Sequence, residues 1–548
     1  MLLAAALAAL VAAPAAAARP SVSDPAKAYV EARAAAMSGE RARAAQLLAA
    51  LARAQPDQPD LARRALVEAI GAGQINLALS LVRSVEPAKM PAEARLLVAA
   101  SEIRQRRPAN AMPWLALKGD TGDLAFVAPL VTAWDAAERG NLGQALATID
   151  QVPTGSLLAP LKTEQRAFLL LKLRQAADAE PFARRAIGGA GSRETRLRLA
   201  FADGFLAAGD KARALAMIDG MGSGEAVARQ RVEAGRQSGQ AVDSLGKAFS
   251  EMLTAFSADL ARLQRGAPPI GLVQVARFAN PQNSSATALL ALLLSGQDRT
   301  EEALALLRAV PANDALIAQI RDVQVRILND KKRFNEAYQL AASAAAAPGA
   351  DVADFSRLGD VLLALKRYDH AAGAYGRAIA LARAQNQRAD LWPLLLLQAS
   401  AFEQANRWPE AKAALEQGLA IAPEQPLLLN FLGYAKLERG EDLDSAEAMI
   451  RKANELAPDD ASIIDSLGWA LFKRGKLEEA IATLQQAAEK DAGQAEIQEH
   501  LGDALYKAGR RVQARFAWNA ALLTAEDEIA ERVKSKLAIG LTSANAAP

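Results

Sequence analysis

ASIIDSLGWALFKRGKLEEAIATLQQAAEKD, residues Ala461–Asp491, carries two amphipathic helical patterns joined by a short turn. In the first, Ile464, Leu467, Gly468 and Leu471 fall at i, i+3, i+4 and i+7, one face of a helix. In the second, Ala480, Leu484 and Ala487 form a matching stripe. Gly475 lies between them, where a helix that must stop favours a residue free to take positive φ. Gly468 and Ala480 are small where the two helices should touch, so their axes can approach closely. Such a pair cannot bury both stripes alone and needs copies of itself.

The copies are present. About 34 residues on, Leu501-Gly502, Gly509 and Ala514 repeat Leu467-Gly468, Gly475 and Ala480. Upstream, Leu432-Gly433, Gly440 and Ala446 do the same with one residue inserted in the turn, and Pro458 closes the second helix. On these residues the chain resembles the tetratricopeptide-repeat (TPR) family, whose pattern is Trp-Leu-Gly-Tyr in helix A and Ala-Phe-Ala-Pro in helix B. Here aliphatics such as Ile464 and Leu484 often replace the aromatics. The resemblance implies an all-α fold, a right-handed TPR superhelical solenoid.

The alanine that opens helix B can be followed along the chain. It stands at Ala44, Ala78, Ala111, Ala145, Ala179 and Ala214, at spacings of 33–35 residues. Gly39, Gly73, Gly140 and Gly209 lie five residues before four of these, and Pro56 and Pro87 stop helix B. A second series comprises Ala303, Ala337, Ala371, Ala411, Ala446, Ala480 and Ala514, with one extension around 384–390. Six marks and seven give 13 repeats, or 14 with a doubtful one, in two lobes. The expected division is an N-terminal lobe 19–222, a divergent helical segment or hinge 223–283, and a C-terminal lobe 284–524. A capping helix 525–541, with Ile529, Val533, Leu537 and Leu541 at four-residue steps, and a disordered tail 542–548 complete it.

Composition narrows the function. Of 548 residues, 51% are hydrophobic but only 5% aromatic, a balance of Ala and Leu that suits close-packed helices over sheets. Lys+Arg 64 against Asp+Glu 62 leaves a net charge of +2, without the basic excess expected of a nucleic-acid binder. Cysteine is absent, which removes disulfides, thiolate chemistry and an acyl-lipid anchor on an N-terminal cysteine. Residues 1–18, MLLAAALAALVAAPAAAA, have an apolar run and an Ala-x-Ala pattern before Arg19, as in a cleaved secretory signal peptide. An uncleaved anchor or an Ala-rich packing helix are the alternatives.

Catalytic patterns are missing. The two histidines, His370 and His500, belong to different repeats, lack metal-ligand spacing and read as surface residues. No nucleophile elbow or phosphate loop occurs in its required context. The expectation is a non-enzyme without cofactor, metal or nucleic acid, associated with membranes only indirectly.

In the TPR family helix A lines a concave groove. Carried over to this chain, the groove residues for a protein or peptide partner are Asn430 and Tyr434, then Asp465, Trp469, Phe472 and Lys473, then Glu499, Asp503, Tyr506 and Lys507. Tyr434 and Trp469 follow the helix-A glycine, where the family has a small polar residue. Their rings either project as anchors or fill space between neighbouring A helices. The run 426–523 also resembles the C-terminal repeats of proteobacterial envelope TPR adaptors. That likeness implies a periplasmic scaffold; the alternatives are a cytoplasmic TPR regulator and a structural part of a polysaccharide or outer-membrane assembly machine.

Overall fold

The computed structural model describes residues 24–547 except 118–121, 222–223, 264–267, 348 and 386–390. The expected signal segment 1–18 and Pro548 lie outside the described residues. Among the described residues there are 30 α-helices and no strand. The chain is all-α, built of helical hairpins that pack on their neighbours within two compact units, one through Lys331 and one from Lys332.

The register of alanines sets this packing. All 13 are 0% exposed, and each is the fourth residue of its helix B, as Ala480 is in Leu477–Lys490 and Ala514 in Arg511–Ala521. A methyl group is the largest side chain that lets helix A pass so close. Helix A contributes the complementary glycine. A Cβ added to Gly468 would stand 2.6 Å from Leu484 Cγ, and one on Gly433 would stand 2.9 Å from the Ala446 carbonyl oxygen. Gly502 is in the same position against Trp518.

The turn shares this register. Gly475 and Gly509 have φ of 76° and 80°, as their turns require. The equivalent position is left-handed even without glycine, at Arg106, Arg174, Asp298, Lys332, Lys366 and Asn406. The packed hairpin therefore imposes the turn, and not the residue. In the repeat with the inserted residue, Asp442 (φ 44°) absorbs the insertion, and its carboxylate accepts the Ser445 N–H (3.3 Å) at the helix start.

In the first unit, α1 (Pro59–Gly71), α2 (Ala92–Arg104) and α3 (Ala128–Glu138) are A helices. Residues 223–283 contribute three helices, two of which return to these A helices: α4 (Leu245–Leu263) lies on α2 and α3, and α5 (Ile270–Ala279) on α1 and α2. Leu245 donates its N–H to Glu138 (2.8 Å), and Arg104 donates to the Phe278 carbonyl (2.7 Å). The long apolar stripe of α4, with Phe249 and Met252 fully buried, finds there the wide surface it needs. The division between units falls after Lys331, in the turn preceding Phe334–Ala345, and not at residue 284.

The second unit ends in α6 (Pro426–Glu438), α7 (Leu443–Leu456), α8 (Ala461–Lys473), α9 (Leu477–Lys490), α10 (Ala495–Lys507) and α11 (Arg511–Ala521). These are followed by α12 (Asp527–Ile539). Residues 542–547, expected as disordered, form a turn because Asn545 closes it. Its amide oxygen accepts the Thr542 N–H (2.7 Å), and its amide nitrogen donates to the Gly540 carbonyl (3.0 Å) and Ser535 Oγ (3.1 Å).

A left-handed turn costs a side-chain residue about 1 kcal/mol that glycine escapes, less the chain entropy glycine brings. Lys366→Gly should therefore raise the urea midpoint of unfolding slightly, while Gly475→Ala should lower stability by about 1 kcal/mol. The reverse order of the two variants would show that the turn is not set by the hairpin.

Candidate functional site

Helices α6, α8 and α10 are the A helices of three successive repeats, and their shared face holds most of the residues expected in the groove. Trp469 is 1% exposed. Its indole N–H donates to Glu438 on α6 (3.0 Å), and its ring stacks on Phe472 (4.7 Å between centroids) and on His500 of α10 (4.2 Å). The ring therefore fills the seam between neighbouring A helices and does not project. Lys473 is exposed, with its ammonium 3.5 Å from Glu438 and 5.2 Å from the indole centroid.

His500 is fully buried, which corrects the surface reading. Its Nδ1 lies 3.0 and 2.9 Å from the two Asp465 oxygens. Nε2 has no partner among the described residues. Burial alone would lower the imidazole pKa, but the charge and hydrogen bond of Asp465, with Glu496 and Asp503 behind, outweigh it and raise the pKa. Half-buried Tyr434 stands within the field of Glu438, Glu496, Asp465 and Arg532; burial first, and then the carboxylates, push its phenol pKa up.

Glu499 and Asp503 are both 0% exposed. Between them sits the equally buried Lys536 ammonium of α12, 2.7 Å from each. Arg532, one turn earlier, donates two hydrogen bonds to Glu499 (3.0 and 2.8 Å). Asp503 also accepts the Trp518 indole N–H (2.9 Å) and the Ala547 backbone N–H (3.1 Å). Burial works to raise the pKa of both carboxyls. Two cations overcome it at Glu499, whose pKa falls, whereas at Asp503 burial prevails over Lys536 and the pKa rises.

The other expected residues lie further out. Asn430 is half-buried, one helical turn before Tyr434, and its Oδ1 has no partner among the described residues. Tyr506 packs against Trp518 (5.3 Å, tilted), and Lys507 is exposed. Glu438, Glu496, His500, Arg532 and Lys536 belong to the face but were not among the residues read from sequence. Repeat register alone gives no sign of the first three. The basic pair had a signal: Lys536 falls three residues after Val533, on the stripe expected to be buried.

The first unit has a recess of about 220 Å³ lined by Arg193, Arg196, Glu251, Leu289, Leu292 and Ile320, among others. Its charged groups engage one another, Arg196 with Glu251 (3.0 Å) and Arg193 with Glu164 (2.7 Å). Among the described residues no group of three or more His, Cys, Asp or Glu is placed to hold a metal, and no helix is long and apolar enough to cross a membrane.

Residues 468–509 match the model of the TPR repeat family. No curated protein matches the chain. Among solved structures, the APC/C hetero-tetramer Cut9–Hcn1 is similar at 15% identity over 95% of this chain and 97% of that one, with a TM-score of 0.38. A tetratricopeptide repeat protein from Parabacteroides merdae has 15% identity over 54% of this chain and 99% of its own, TM-score 0.38. A thermophilic TPR protein of Thermus thermophilus has 23% identity over 34% of this chain and 100% of its own, TM-score 0.30.

The raised pKa of His500 fixes the sign of one pH effect. The Asp465–imidazolium pair contributes stability that is complete below the unfolded value of about 6.5 and is lost as pH rises through the folded value. His500→Gln should therefore cost more stability at about pH 6 than at about pH 9, measured as urea midpoints. An equal loss at both would mean that the imidazole is neutral throughout.

Proposed function

We propose that this protein is a non-enzymatic scaffold, and that the face of α6, α8 and α10 receives a peptide segment of a protein partner. The observation that carries this reading is the concentration of Glu438, Asp465, Glu496, Glu499 and Asp503 around the rings of Tyr434, Trp469 and His500 on one face. These carboxylates stand on α6, α8 and α10, whereas Arg532 and Lys536, which answer Glu499 and Asp503, come from α12. Carboxylates beside aromatic rings suit a cationic or amphipathic segment, through charge-assisted hydrogen bonds and cation–π contact. The role fits TPR repeats, which bind protein partners generally.

The site of action that goes with this reading is the cell envelope, as the Ala-x-Ala pattern before Arg19 and the absence of cysteine suggest. A mature N-terminus near Arg19 in the periplasmic fraction supports export, and a cytosolic chain beginning at Met1 supports the cytoplasmic regulator instead.

The groove itself is tested with Tyr434→Ala and Asn430→Asp in pull-downs from envelope extract, with partners identified by mass spectrometry. Truncating a hot-spot tyrosine should weaken capture of a specific partner at least about tenfold with little change in melting temperature. Trp469→Ala should instead cost about 3–5 kcal/mol of stability, because its ring is core. A partner list and affinities untouched by Tyr434→Ala and Asn430→Asp would move the binding surface elsewhere.

A further inference from the structure

Residues 527–547 lie across the face just described. Helix α12 packs on α10 and α11, and the chain then turns through Asn545 and reaches α8, where Ala547 joins the cluster of Leu467, Trp469 and Leu471. What this segment buries is unusual for a cap. Its Ile529, Val533, Leu537 and Leu541 pack on the apolar core of α10 and α11 as a cap's would, but its other fully or nearly fully buried residues are Lys536, Asn545 and Ala547. A segment that served only to seal the last apolar stripe would need no more than those aliphatics. This one inserts a lysine between two buried carboxylates, lays an arginine four residues earlier against one of them, and offers a backbone N–H to the other. Those contacts resemble a bound peptide's: two cations at i and i+4 on a helix, then a turn and a backbone N–H from the residue beyond it.

Resting on the reading of this face as a peptide receptor, we infer that residues 527–547 are its tethered, displaceable occupant, and that the partner is a segment with the same pattern of basic residues four apart on a helix. The tether runs through Leu523 and Thr524, both exposed, so the segment is joined to α11 by an unpacked link, and leaving costs the burial of its aliphatics on α10 and α11. Tethering gives the occupant a high effective concentration, and any partner must compete with it. Its apparent affinity falls by the fraction of molecules in which the face is open. Beside the apolar contacts, the ionic ones of Arg532 and Lys536 make the balance sensitive to charge at residues 532 and 536 and, through the partly exposed Arg532–Glu499 pair, to salt.

The test needs no foreign partner, so its failure and the failure of the receptor reading can be told apart. A fluorescein-labelled synthetic peptide of residues 526–548 is titrated into the full-length wild-type protein and into full-length Arg532→Glu/Lys536→Glu, whose own segment is repelled by Glu499 and Asp503. The peptide should bind the variant at least about tenfold more tightly than wild type, and a peptide carrying the same two reversals should bind neither. Equal affinity for both proteins, or binding of the reversed peptide, overturns the inference. Should circular dichroism show the variant unfolded, hydrogen exchange on the wild type decides. Amides of 527–547 should exchange at least about tenfold faster in about 0.5 M salt than in dilute buffer while those of α10 do not. Unchanged protection of 527–547 would make it a permanent cap.

Discussion

The constraint on which the rest of the structure depends is the distance between helix A and helix B. The fourth residue of each helix B is a fully buried alanine, and in the best-formed repeats helix A carries a glycine with no room for a Cβ against its helix B, at Leu484, Trp518 or the Ala446 carbonyl. Close axes bring the apolar stripes of a hairpin together but leave the flanks of helix A uncovered. Stacking buries one flank on the neighbouring hairpin. The remaining face is what the chain can offer to a ligand, and its composition is free to vary without disturbing the register.

Both units use that face, in different ways. In the first, α4 and α5 cover it with a long apolar stripe, an interior solution stabilised by burial. In the second, the covering segment is polar at its points of insertion. Taking an ammonium and two carboxylates out of water costs several kcal/mol per ion, and mutual attraction only partly offsets it. The opposite pKa directions at Glu499 and Asp503 express this balance: one carboxylate is well compensated and the other is not. An arrangement of this kind contributes specificity more than stability, since an apolar residue at position 536 would leave buried Asp503 without a cation and Glu499 with Arg532 alone.

Much of the fold was legible in the sequence because it rests on one small residue recurring at near-constant spacing. The 13 alanines, the turn residue five before most of them and the Leu-Gly pairs all occupy the places their register implies. The site was less legible. Register placed Trp469 on the helix-A face, yet whether an indole there projects or lies flat depends on Glu438 and His500 in the two adjacent repeats. His500 read as a surface residue because its partner Asp465 is 35 residues away in sequence. The return of residues 542–547 depends on one asparagine closing a turn, which a short Ala- and Ser-containing tail does not announce.

The central claim is that the helix-A face of the last repeats is a receptor whose occupant can leave. Because the chain has no cysteine, a spin-label pair can be placed without background at two exposed serines, Ser462 at the start of α8 and Ser543 in the C-terminal turn. Pulsed electron resonance on the doubly labelled full-length protein then reports whether the segment is seated. The account predicts a narrow distance distribution in dilute buffer, joined by a long, broad component when salt is raised or Lys536 is reversed in charge. A single narrow distribution under all these conditions, in a chain that stays helical, would contradict it.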